Sequence, residues 1–230
     1  MAPSIAVDLS DKPHLAWNNS SRIYYSKYSG SSWSTPVEIS TGTQNQYLDI
    51  AVDAANHPHV VWFINPYSIY YNYFNGTSWL ASPERVDTTG NALYPAIAII
   101  SDGTPQVVWE YRQSGNYEIY YSYRIGSSLW ATAKNISNSA IYSYSPDVAA
   151  DGTSVLHVVW KEASGVNDIF YSQGIGTSWD TSINIANTRN DSGNPSVAVD
   201  VGDNPHVVWH DASDGNWEIF YTRWNGLSWT

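Results

Sequence analysis

Five tryptophans, Trp17, Trp62, Trp109, Trp160 and Trp209, each close a short segment of the His-Val-Val-Trp type, at intervals of 45, 47, 51 and 49 residues. A nearly fixed period of this length marks tandem supersecondary units rather than one irregular domain. A residue that recurs in every unit is then first of all a building element of the unit. Function has to be sought in what does not repeat.

The fifth copy shows the unit most clearly. Pro195 to Asp200 is followed by Asn204 to Trp209, then by Glu218 to Thr222 and the Gly226-Leu-Ser-Trp229 element. The first copy runs through Ile5 to Asp8, His14 to Trp17, Ile23 to Ser26 and Gly30 to Trp33, and adds Val37 to Ser40. These segments are short, rich in β-branched and aromatic residues, and bounded by Gly, Pro, Asn, Asp or Ser. That combination predicts strands joined by tight turns. No stretch keeps helical spacing. Four strands, A (Ile5 to Asp8 and its equivalents), B (His14 to Trp17), C (Ile23 to Ser26) and D (Val37 to Ser40), recurring five times predict an all-β chain, a five-bladed β-propeller of four-stranded antiparallel blades. The expected repeats are 3–47, 48–94, 95–145, 146–194 and 195–230, within a single domain 1–230. One blade cannot bury both faces alone, so blades pack on one another. The 12 Trp and 18 Tyr supply bulk for that packing.

Outer D strands are expected at Val37 to Ser40, Arg85 to Thr88, Lys134 to Ser137 and Ile183 to Ala186. The fifth has no counterpart, so the last blade should have three strands and an open edge near Glu218 to Thr222. Closure by side-chain packing, a chain cut from a longer array, or self-association through that edge would each accommodate this; the second is favoured. Met1 and Ala2 lead directly into strand A, so no leader is expected within these residues.

The Gly-x-Ser-Trp element resembles the Asp-box of sialidase-like propellers, Ser-x-Asp-x-Gly-x-Thr-Trp. Its glycine is kept as Gly30, Gly76, Gly126, Gly176 and Gly226, while the Asp position holds Tyr28, Phe74, Arg124, Gly174 and Trp224. The third copy carries an extra residue, Leu129. The resemblance implies propeller blades. It does not carry over the sialidase active site, because Arg22, Arg85, Arg112, Arg124, Arg189 and Arg223 occupy unlike repeat positions. Blade number and repeat length are also similar to tachylectin-2-type lectins, by architecture alone.

A net charge of −11 with only 10 Lys and Arg argues against nucleic acid and anionic membranes as partners. No apolar run reaches the ~20 residues of a spanning helix. With no cysteine there is neither a disulfide framework nor thiolate chemistry. The aromatic, Lys-poor composition suits an extracellular or cell-surface module.

Repeat logic also disposes of the apparent catalytic and metal sets. Asp8, Asp53, Asp151 and Asp200 share the end of strand A and read as turn caps. His14, His59, His157 and His206 share one place in strand B, with Gln106 in the third copy, and read as neutral histidines bonded to backbone. No catalytic residue, metal ligand or cofactor is assigned, and no enzyme activity is expected.

What remains are the B–C loops and the D–A loops with Tyr47, Tyr94, Tyr142, Tyr144 and Asn194. Aromatic faces stack on sugars, while amides and carboxylates bond hydroxyls. The candidate ligand-binding residues are Tyr117, Trp217, Asn116, Asn216, Glu118, Glu218, Tyr94 and His210. The expected partner is a glycan or a surface protein. A structural repeat scaffold is the alternative, and a glycosidase-type hydrolase the third reading.

Overall fold

The computed structural model describes residues 3–42, 45–88, 90–113, 115–163, 165–186, 188–213 and 215–230. Every regular element among them is a β-strand. The first sheet comprises β1 (Pro3–Val7), β2 (Pro13–Asn19), β3 (Arg22–Lys27) and β4 (Val37–Glu38). The second comprises β5 (Asn45–Val52), β6 (Pro58–Ile64), β7 (Ser68–Tyr73) and β8 (Glu84–Arg85). In the third, β9 (Ala92–Ile99), β10 (Pro105–Gln113) and β11 (Asn116–Gly126) are followed by β12 (Leu129–Trp130) and β13 (Lys134–Asn135), which both pair with β11. The fourth repeats this pattern with β14 (Tyr142–Ala150), β15 (Leu156–Ala163), β16 (Asn167–Ile175), β17 (Ser178–Trp179) and β18 (Ile183–Asn184). The fifth has three strands, β19 (Ser192–Val199), β20 (Pro205–Asp211) and β21 (Glu218–Arg223).

The fold is a five-bladed β-propeller, and among the described residues the last blade has three strands, as expected. The outer strands elsewhere are two residues long rather than four, and the second begins at Glu84. By contact density the chain divides into two compact units, residues 1–107 with 123–131 and residues 108–122 with 132–230.

Strand B lies inside each sheet and is buried over most of its length in the second, third and fourth. Trp62, Trp109 and Trp160 have essentially no exposed surface. Neighbouring sheets are stapled by one recurring contact: the Trp of the Gly-x-Ser-Trp turn sets its edge against the strand C Tyr of the preceding sheet. Within the first unit these are Tyr25–Trp79 (5.0 Å) and Tyr71–Trp130 (5.2 Å). Within the second they are Tyr121–Trp179 (4.9 Å) and Tyr171–Trp229 (4.8 Å). Edge-to-face pairs at such distances add ~0.5–1.5 kcal/mol beyond burial.

Two aspartates add polar clamps. Asp49 on β5 accepts hydrogen bonds from Ser4 Oγ (2.8 Å) of the first sheet and from Ile97 N (3.0 Å) of the third. Burial pushes its carboxyl above the usual range. Asp147 on β14 accepts from Ser196 Oγ (2.8 Å) and Val197 N (2.8 Å) of the fifth sheet.

The degenerate Asp-box turns keep their anchor one residue downstream of the lost Asp. Asn75 Oδ1 accepts from Thr77 N and Ser78 N, Asn225 Oδ1 from Leu227 N and Ser228 N, and Ser29 Oγ from Ser31 N and Ser32 N. The former Asp position is freed for an aromatic that packs on the turn's own Trp, as in Tyr28–Trp33 and Trp224–Trp229. The extra residue of the third copy moves the left-handed turn position from Gly126 to Ser128 (φ 57°).

Candidate functional site

Each inner strand from the second sheet on carries a residue in the left-handed region near its start: Tyr47 (φ 34°), Tyr94 (φ 47°), Ser145 (φ 53°) and Asn194 (φ 45°). Beside them the ladder slips between Gln46 and Leu48, Tyr144 and Asp147, and Gly193 and Ser196. These are β-bulges, which bend a strand and re-aim its side chains. The tyrosines and Asn194 expected in D–A loops therefore lie inside strands. Pro95, Pro146 and Pro195 directly follow three of these residues, and that punctuation is why the sequence reads there as loop. In the first unit the bulges bring Tyr47 and Tyr94 together, both exposed, with ring centroids 4.5 Å apart at 65°.

In the second unit a larger cluster forms. Tyr117 opens β11 and lies 5.0 Å from Tyr144 and 6.1 Å from Tyr142, centroid to centroid. The Arg112 guanidinium stands 5.8 Å from the Tyr117 ring, and the Lys161 ammonium 5.1 Å from the Tyr144 ring. Glu110 is buried in the adjoining strand and accepts a hydrogen bond from Ser145 N (2.6 Å). Burial pushes its carboxyl up to about 7, although Ser145 N and Lys161 both pull it down. Three phenols, two cations and one carboxyl that titrates near neutrality make a surface that can stack on rings and bond hydroxyls or carboxylates.

The other predicted residues divide. Asn116 and Glu118 turn inward. Asn116 Nδ2 donates to Glu118 Oε1 and Ser139 O, and Glu118 Oε2 accepts from Ser137 Oγ and Ser139 N. This pair builds the turn that holds Tyr117. Asn216 and Glu218 are exposed in the fifth sheet. Trp217 is largely exposed and meets the half-buried His210 edge-on at 4.6 Å. Gly193 makes room for that imidazole, since a Cβ there would lie 2.6 Å from His210 Nε2. Sequence reasoning missed Glu110, Arg112 and Lys161 as site residues. Their signal was that they break the repeat at positions held by Asn18, Phe63 and His210 or their neighbours.

The repeated histidines bond side chains, not backbone as expected. Tyr71 Oη lies 2.6 Å from His59 Nδ1, while Asp53 Oδ2 lies 3.4 Å from its Nε2. The same Asp–His–Tyr line occurs at His14, His157 and His206. The other oxygen of each Asp caps the A–B turn, as Asp53 Oδ1 does for Ala55 N and His57 N. Among the described residues no group of three or more His, Asp or Glu is placed to hold a metal ion. A cavity of about 430 Å³ in the second unit is lined by Asp151, His157, Asp180, Asp203, Trp224 and Trp229 among others. Its carboxylates and indoles suit hydroxyl-bearing or cationic groups.

No protein-family model matches the chain, and no curated protein matches it. Solved structures do. A polysaccharide lyase of family PL25, an ulvan lyase bound to -[GlcA(1-4)Rha3S]-, is 10% identical with TM-score 0.68, over 97% of this chain and 69% of that one. The Aleuria aurantia lectin, in complex with Fucα1-6GlcNAc, is 11% identical with TM-score 0.65, over 99% of this chain and 76% of that one. A Hadza microbial sialidase is 12% identical with TM-score 0.59, over 95% of this chain and 51% of that one. At such identities the likeness is one of fold, a β-propeller.

Proposed function

We propose that this chain is a non-catalytic, lectin-like propeller that binds carbohydrate at a cell surface or outside the cell. The observation that carries the proposal is the cluster of Tyr117, Tyr142 and Tyr144 with Arg112 and Lys161 over their rings. Aromatic rings take the apolar face of a pyranose, and the flanking donors fix its hydroxyls or a carboxylate. The structural neighbours that act on or bind saccharides support this reading, as does the scarcity of basic surface for nucleic acid. No helix among the described residues is long and apolar enough to cross a membrane.

The test is a glycan-array screen of the labelled chain beside Tyr117→Ala and Trp217→Ala. Binding that Tyr117→Ala abolishes establishes the site. Binding lost only in Trp217→Ala moves the site to the fifth sheet. Silence across the array with an intact fold rejects the reading. Turnover of an aryl glycoside that Glu110→Gln abolishes would replace it with a hydrolase.

A further inference from the structure

The strand C residue paired with the strand B histidine is Lys27 in the first sheet, Tyr73 in the second, Gln173 in the fourth and Arg223 in the fifth. The third repeat has Tyr123 at this place, and Ile100 where the others have the turn Asp. In the first unit the acid-bearing repeats have a cation close by. Lys27 Nζ bonds to Asp8 Oδ2 at 2.6 Å. In the second sheet the cation comes from the next sheet instead. Arg124 of β11 bonds to both oxygens of Glu84, at 2.7 and 2.9 Å, and its guanidinium stands 5.1 Å from the Tyr73 ring. The third repeat has neither the acid nor the strand C cation. The fourth keeps the acid, Asp151, but carries Gln173 where the first has its lysine.

The cavity of about 430 Å³ lies at this place, lined by residues of the fourth and fifth repeats, all within the second unit. Asp180 and Asp203 add two more carboxylates to Asp151, and among the described residues the lining holds no lysine or arginine. Asp203 Oδ1 accepts from Gly152 N (2.8 Å) and Asp180 Oδ2 from Gln173 Nε2 (3.0 Å), which leaves the second oxygen of each outside these bonds. Trp224 occupies the turn position that Arg124 holds in the third repeat. With Trp229 it forms two walls, ring centroids 5.9 Å apart at 62°. We infer that this cavity binds an organic cation bearing an alkylammonium group, which takes the part that Lys27 and Arg124 play in the first unit. Indole faces attract ammonium groups more strongly than phenols do. The carboxylates supply the countercharge that the fourth repeat lacks in its own sequence. The volume suits a small molecule or a long side chain rather than a bare ion, and the acids do not form a metal-binding group. The cavity shares no residue with the tyrosine cluster, so this site goes beyond the glycan reading and does not depend on it.

An NMR titration of the full chain tests this, with choline as the probe and dimethylbutanol as its uncharged carbon isostere. Choline is expected to shift the indole N–H signals of Trp224 and Trp229, and the alcohol to leave them in place. Asp203→Asn keeps an acceptor for Gly152 N, and Asp180→Asn keeps one for Gln173. Each should weaken choline about fivefold with unchanged circular dichroism. Gln173→Lys is the decisive arm, because it puts the lysine of the first sheet into the fourth. It is expected to fill the cavity from within, raise the melting temperature and abolish choline binding. Acetyl-lysine methylamide, titrated alongside, separates the sources of the ammonium group. Tighter binding than choline assigns the site to a lysyl side chain of a peptide, and weaker binding assigns it to a free ammonium compound; both sustain the proposal. Equal binding of the uncharged alcohol overturns it. So does choline binding that survives Gln173→Lys, or a wild-type chain that binds neither ammonium probe.

Discussion

Tyr71 Oη and His59 Nδ1 are joined by a hydrogen bond of 2.6 Å in the interior of the second sheet. The imidazole must be neutral to accept it while its Nε2–H faces Asp53. Burial holds His59 down, to about 4. Between pH 6.5 and 4 the unfolded chain therefore binds a proton that the folded chain refuses. Stability is full above about 6.5 and falls as the pH drops toward 4, by roughly 3 kcal/mol from this residue. His59→Gln installs the residue that the third repeat carries at Gln106. It should lower the melting temperature at pH 7.5 and make it less sensitive to acid between 6.5 and 4. A variant that loses as much on acidification as the wild type would refute the assignment.

Glu110 works in the opposite sense. Its folded pKa stands near 7 through burial, above the ordinary glutamate value. The folded chain then holds a proton that the unfolded chain releases between about 4.5 and 7. Its contribution is neutral below that window and turns destabilising as the pH rises through it, by roughly 3 kcal/mol. Glu110→Gln keeps an acceptor for Ser145 N and removes the charge. Melting at pH 8 should rise in the variant, while melting at pH 4.5 should change little.

Trp130 and Trp33 occupy the same turn position and should respond differently to truncation. Trp130 is buried, lies edge-on to Tyr71 and donates to Glu84 Oε2 at 3.3 Å. Trp130→Ala is expected to cost about 3–5 kcal/mol in chemical denaturation. Trp33 packs on Tyr28 of its own turn and is otherwise exposed. Trp33→Ala should cost less than about 1 kcal/mol. Equal losses at the two positions would contradict the packing described.

These contrasts show where the sequence was legible. The strand B tryptophans, the turn aspartates and the Gly-x-Ser-Trp elements recur because each blade needs them, so their period exposed the architecture. The outer strands were over-read, since two ladder pairs per strand leave hardly any pattern in residue type. The sheet-bridging acids were hidden by the same logic: their repeat position reads Ser4, Asp49, Ala96, Asp147 and Ser196, with no constant residue to notice. Asn116 and Glu118 looked like sugar contacts because Gly-Asn-x-Glu recurs in an exposed loop, yet their hydrogen bonds are spent on Ser137 and Ser139. Glu110 escaped notice because burial is a property of its surroundings, not of its residue type.

The tyrosines at the bulges supply the last prediction. Tyr94 is held at φ 47° and Tyr47 at φ 34°, a region that a bulky side chain enters only at a cost. Such strain, of order 1–3 kcal/mol per residue, persists where the surrounding structure enforces it, and it clusters at functional sites. The fifth repeat has Asn194 at the same place with φ 45°, and asparagine tolerates that region far better. Tyr94→Asn should therefore be neutral or stabilising by about 1 kcal/mol, despite losing the ring contact with Tyr47. If the Tyr47–Tyr94 pair is a second sugar platform, the same substitution weakens binding to whichever glycan the array identifies. Denaturant titration and glycan binding of this one variant separate the cases. A gain in stability with a loss of binding shows that the strain serves the site. A gain in stability with unchanged binding confines the ligand to the Tyr117 cluster, and a clear loss of stability shows that the ring pair outweighs the backbone strain.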